Sequence, residues 1–96
     1  MLLLWLTIAV LGLASPSLAQ EAPEKVLQQA ITRHQSGDLE GAIREYRSYL
    51  QLRPASPDIR SNLGAALAAT GRYSEAITEY RAALKLRQND PRIRLN

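Results

Sequence analysis

The sequence predicts an all-α chain in which antiparallel helix pairs stack as an α-solenoid, preceded by an N-terminal signal peptide. Three observations carry this. First, residues 37–54 (GDLEGAIREYRSYLQLRP) return 34 positions later as residues 71–88 (GRYSEAITEYRAALKLRQ), with Gly37/Gly71, Ala42/Ala76, Ile43/Ile77, Glu45/Glu79, Tyr46/Tyr80, Arg47/Arg81, Leu50/Leu84, Leu52/Leu86 and Arg53/Arg87 identical. Second, apolar residues recur at helical spacing, and no segment shows the two-residue alternation of a half-buried strand. Third, Gly and Pro punctuate the pattern where helices should stop and start.

The elements follow in order. Residues 2–14 are apolar apart from Thr7 and Gly12, Pro16 breaks the run, and Ser17-Leu18-Ala19 supplies small residues where a signal peptidase reads. The expectation is a signal peptide over residues 1–19, cleaved after Ala19, and an exported chain, periplasmic or extracellular. The run is short for a bilayer span, which takes about 20 apolar residues. No Lys or Arg precedes it, which leaves an uncleaved membrane anchor as the alternative. Residues 20–22 form a short polar segment. The first helix carries Val26, Leu27, Ala30 and Ile31 and is stopped by Ser36-Gly37-Asp38, glycine being the residue that takes a left-handed conformation without steric cost. The second carries Leu39, Ala42, Ile43, Tyr46 and Leu50 and stops at Pro54 and Pro57. Ser56 as N-cap and Pro57 in the first turn open the third, which carries Ile59, Leu63, Ala66 and Leu67 and ends at Thr70-Gly71. The fourth carries Tyr73, Ala76, Ile77, Tyr80, Ala83 and Leu84 and ends at Gln88-Asn89-Asp90. Asp90-Pro91 then reads as the start of a fifth, because DPRIRLN at 90–96 echoes SPDIRSN at 56–62.

Composition narrows the chemistry. The chain has no cysteine and a single histidine, His34, so disulfides, thiolate metal sites, cysteine nucleophiles and multi-histidine metal sites are not available within it. Twelve Lys and Arg face nine Asp and Glu, for a net charge of +3, but the signs are interspersed and no basic face for nucleic acid stands out. No phosphate-cradling glycine loop, nucleophile elbow, HExxH zinc helix or calcium-binding loop is present. Glu45 and Glu79 read as solvated charges pairing with Arg47 and Arg81 rather than as a general acid/base pair, and His34 as a groove-lining or exposed side chain. No cofactor, metal, catalytic residue or small-molecule substrate is expected, and the chain reads as a non-enzyme.

A 34-residue helix pair with small residues at fixed offsets resembles the tetratricopeptide repeat. Residues 23–56 and 57–90 resemble two such repeats, and 91–96 the start of a third. Gly71, Ala76, Tyr80 and Ala83 fall on motif positions, as do Gly37, Ala42, Tyr46 and Pro54 in the first copy and Leu63-Gly64 in the second. Ala42 and Ala76 mark close helix crossings, faced by Ala30 and Gly64. Tyr46 and Tyr80 fill the gap between a repeat and its neighbour, a core role rather than a ligand-stacking one, and Leu50 and Leu84 close the far end. The sequence departs from the pattern at Arg60, where the family often has Trp, at Leu67 in place of Tyr, and at Gln88 in place of the closing Pro. Gln29 and Arg33 replace the apolar residues found at Leu63 and Leu67, as suits the first repeat of an array.

The resemblance implies a concave groove lined by the first helix of each pair. In the first repeat the lining positions are Glu24, Leu27, Gln28, Ile31, His34 and Gln35. In the second they are Asp58, Ser61, Asn62, Ala65, Ala68 and Ala69. Gln28, Asn62 and Asn96 share one position in the 34-residue frame, and their amides can donate to and accept from a peptide backbone. The expected peptide-groove residues are therefore Gln28, Ile31, Gln35, Asn62, Ala65, Ala69 and Asn96. The implied function is a protein–protein interaction scaffold holding a peptide or partner segment. The alternative is a structural N-terminal part of a larger exported protein, packing on its own downstream domain or self-associating. No nucleic-acid partner is expected, and a membrane only if the leader is retained.

Overall fold

The structure, a computed structural model, describes residues 22–92, and the expected signal peptide at 1–19, most of the 20–22 segment and Asn96 lie outside them. Four helices follow one another: α1 Pro23–Gln35, α2 Leu39–Leu52, α3 Pro57–Ala69 and α4 Tyr73–Gln88. No strand occurs among the described residues. Helix α1 packs on α2, α2 on α3 and α3 on α4, so each pair docks on the next through the second helix of the first.

Helix boundaries follow local chemistry. Pro23 and Pro57 sit in the first turns of α1 and α3, where a missing N–H costs nothing. Gly37 and Gly71 turn the chain at φ +85° and +82°, the left-handed region that glycine enters freely. Asp38 caps α2, its carboxylate accepting the Gly41 N–H at 3.0 Å. Ser56 occupies the N-cap position of α3 but does not cap it. Its hydroxyl donates backward to the Arg53 carbonyl at 2.8 Å, which corrects the sequence expectation. Pro54 disfavours helical backbone at the residue before it, and α2 ends at Leu52. Its counterpart Gln88 imposes no such limit, and α4 runs to Gln88 itself, 16 residues against 14 in α2. Beyond it, the Asp90 carboxylate accepts the Arg92 N–H at 2.9 Å, the bond an N-cap residue makes to the second position of a helix.

The core is a single cluster of Ala30, Ala42, Ile43, Tyr46, Leu50, Ile59, Leu63, Ala66, Leu67 and Ala76, with Leu27, Ile31, Leu39, Tyr49 and Ala68 packed against it. The small residues are where close crossings were expected, Ala30, Ala42 and Ala76 all being buried. Gly64 answers a different contact: a Cβ there would lie 2.9 Å from the Tyr80 ring, so glycine makes room for that tyrosine.

The two ends of the array are unlike. On α1, Gln29 and Arg33 are exposed, whereas their counterparts Leu63 and Leu67 are 2% and 1% exposed. On α4 an apolar stripe faces water: Tyr73 at 66%, Ile77 at 48%, Tyr80 at 38% and Leu84 at 55%. The equivalent face of α2, with Ile43, Tyr46 and Leu50, lies in the core that α3 completes. Among the described residues, no helix covers Tyr80 and Leu84 as α3 covers Tyr46 and Leu50.

Candidate functional site

Ion pairs tie the repeats together without forming a chemical site. Arg47 reaches Glu75 at 2.7 Å and Arg72 reaches Glu40 at 3.2 Å, both from one repeat to the other. Within the second pair Arg87 bonds Asp58 at 2.7 Å and Arg60 bonds Glu79 at 3.0 Å. The last is the most enclosed, at 23% and 20% exposure, and the Arg60 Nε–H also donates to the Pro54 carbonyl at 3.2 Å. Thus the residue standing at the family's Trp position joins α3 to α4 by charge. These pairings correct the sequence reading of Glu45 and Glu79. Both are half-buried rather than solvated; Glu79 takes Arg60, and Glu45 lies 3.9 Å from Arg33. The expected partners Arg47 and Arg81 failed because residues two apart on one helix do not face each other, whereas the neighbouring helix presents Arg33 and Arg60 to these carboxylates.

Titration follows these contacts. The Gly41 N–H, then the Arg33 guanidinium at 2.8 Å, hold the Asp38 carboxyl below its ordinary value. The Arg92 side chain and its backbone N–H hold Asp90 down to about 2. Burial pushes the Tyr46 phenol up. No group of His, Asp and Glu able to hold a metal ion occurs among the described residues, and no helix among them is long and apolar enough to cross a membrane.

The concave feature of interest is a shallow cavity of about 330 Å³ lined by Ile31, His34 and Gln35 of α1, Asn62 of α3 and Tyr46 of α2. It joins both repeats. The first helices supply its rim, because residues one turn apart on α1 share a face. Tyr46, 1% exposed, lies behind them with its hydroxyl 2.9 Å from His34 Nδ1. The two rings meet edge to face at 5.8 Å.

Of the residues expected in the groove, the structure brings Ile31, Gln35 and Asn62 into this cavity. Ala65 and Ala69 are exposed on the same helix as Asn62. Gln28 is exposed and donates weakly to Thr32 Oγ1 at 3.4 Å; it lines a separate shallow cavity with Gln29, Thr32 and Arg33. Asn96 lies outside the described residues. The bond from Tyr46 to His34 was missed, since the two are twelve residues apart on different helices and neither type signals the other in sequence.

A comparison with protein families matches the tetratricopeptide repeat over residues 33–95. No curated protein matches the chain. The matched span covers the last residues of α1, the whole of α2, the whole second helix pair and the turn beyond it, with the 34-residue register and the glycine-ended helices intact. On this evidence the chain belongs to the tetratricopeptide repeat family.

Proposed function

We propose that the chain is a non-enzymatic protein–protein interaction scaffold that holds an extended segment of a partner protein against the face made by α1 and α3. Tetratricopeptide repeats in general mediate protein–protein interaction. The observation that carries the finer reading is the shared cavity: Ile31, His34 and Gln35 of one repeat and Asn62 of the next line it together. Beside it Ala65 and Ala69 leave α3 low enough for a backbone to approach. Amides suit a peptide backbone because they both donate and accept, and none of the lining side chains is an acid or an arginine or lysine. Display selection of random peptides against the chain, followed by Asn62→Ala, tests the reading. One amide bond contributes about 0.5–1.5 kcal/mol net, so selected peptides should bind several-fold more weakly while helix content stays unchanged. Peptides bound equally well by Asn62→Ala would overturn the groove as the binding face.

A second reading rests on the exposed stripe of α4. The face carrying Tyr73, Ile77, Tyr80 and Leu84 matches the α2 face that α3 covers, so it suits a helix of a larger exported protein, beginning with residues 91–96 as a third repeat, or a second copy. Sedimentation of the parent and of Ile77→Glu separates the cases: a concentration-dependent dimer abolished by the substitution favours the copy. Export with removal of residues 1–19 belongs to both readings, and intact mass of the exported protein tests it.

A further inference from the structure

We propose that Tyr46 locks His34 in the tautomer that carries its proton on Nε2, and that this N–H, in the cavity that Asn62 also lines, selects a carbonyl oxygen from an uncharged stretch of the bound segment. The inference rests on the groove reading above. The Tyr46 hydroxyl is enclosed, and its one hydrogen-bond partner among the described residues is His34 Nδ1 at 2.9 Å. Two arrangements satisfy that distance. In one, the phenol O–H donates to a bare Nδ1. In the other, Nδ1–H donates to the phenol oxygen, and the phenol proton, on a side chain 1% exposed, has no protein acceptor among the described residues. Burying an unsatisfied donor forfeits its hydration with nothing in return, so the first arrangement holds. Burial also keeps the phenol protonated and hence a donor.

The consequence lies on the other side of the ring. A neutral imidazole with a bare Nδ1 has its proton on Nε2. His34 is only half-buried and lines the cavity with Asn62, Gln35 and Ile31, so the site offers a fixed donor, two amides and an aliphatic wall. A carboxylate entering it would lose its hydration with no cation in the lining to replace it. A backbone or amide carbonyl loses far less and accepts the same bond. The arrangement is confined to the first repeat: Ala68 stands at the position of His34 in the second. The preference for an uncharged carbonyl is therefore local to the junction between the pairs.

His34 is the only histidine in the chain, so ring-nitrogen NMR of the full chain, purified without a histidine tag, gives a single tautomer pattern. The expected pattern is a protonated Nε2 and a bare Nδ1, shifting toward a mixed pattern in Tyr46→Phe. A protonated Nδ1 in the parent would overturn the inference while leaving the groove reading intact. The second arm uses the peptides selected by display. His34→Leu should weaken an uncharged peptide about 2- to 12-fold, the range of one net hydrogen bond. His34→Gln, which keeps a donor at nearly the same reach, should restore most of it. Unchanged binding by His34→Leu alongside loss of binding by Asn62→Ala would sink this inference alone. Unchanged binding by both would sink the groove reading with it.

Discussion

Ile43 and Ile77 hold the same place in the two repeats, yet one is 1% exposed and the other 48%. Replacing each by alanine should therefore cost different amounts, although the chemistry removed is identical. At Ile43 the deletion leaves an enclosed cavity, and buried Ile→Ala changes cost about 2–5 kcal/mol. At Ile77 half the side chain is already in water and the notch stays open to solvent. The lost transfer energy is then about half of three methylene equivalents at ~0.8 kcal/mol each, or about 1 kcal/mol. The gain in helix propensity on going to alanine enters both variants and cancels. The difference, about 2 kcal/mol, corresponds to roughly 8–16 °C in melting temperature for a domain of this size. Far-UV circular dichroism melts of the parent and both variants measure it. Equal shifts would refute the unequal burial of the two repeats, and a larger shift for Ile77→Ala would mean that α4 is covered.

Four further outcomes follow from the packing and the charges. Ala76→Leu should destabilise by about 1–3 kcal/mol through overpacking, whereas Ala69→Leu, on an exposed site, should stay within about 0.5 kcal/mol; denaturant midpoints compare them. Tyr46→Phe should lose about 0.5–1.5 kcal/mol, the net value of one hydrogen bond, in the same assay. Glu79→Gln should lower the midpoint more than Glu75→Gln, because the Arg60–Glu79 pair is more enclosed than Arg47–Glu75. Asp38 has its folded-state carboxyl held below the ordinary 3.8 by the Gly41 N–H and Arg33. Its contribution is therefore complete above that value and is lost as pH falls below it. Acid melts should show the parent losing stability below about pH 4, with a shallower loss in Asp38→Asn.

The helices were legible because each writes its apolar residues at one-turn spacing and the first three close on Gly37, Pro54 and Gly71, signals that need no tertiary information. What escaped the sequence depends on side-chain reach between helices. Glu79 took Arg60 rather than Arg81 because α3 delivers that arginine across the pair. Ser56 had the right residue type to cap α3, but its hydroxyl found the Arg53 carbonyl first, while Asp38, read only as part of a stop, caps α2. In the site, Ile31, Gln35 and Asn62 converge because the frame places them on facing turns. Gln28 shares the frame of Asn62 but lies on the first helix of the described residues, where the shallow cavity it lines is built from α1 side chains alone. His34 with Tyr46 needed the folded hairpin to be seen.

The central claim is that the face between α1 and α3 holds the partner. Amide chemical-shift mapping of the chain with a display-selected peptide tests it most directly. The account predicts that the largest changes fall on Ile31, His34, Gln35, Asn62 and Ala65, with little change at Arg44, Ser48 or Gln51 of α2. Changes confined to α2, or to Tyr73, Ile77 and Leu84 of α4, would contradict it.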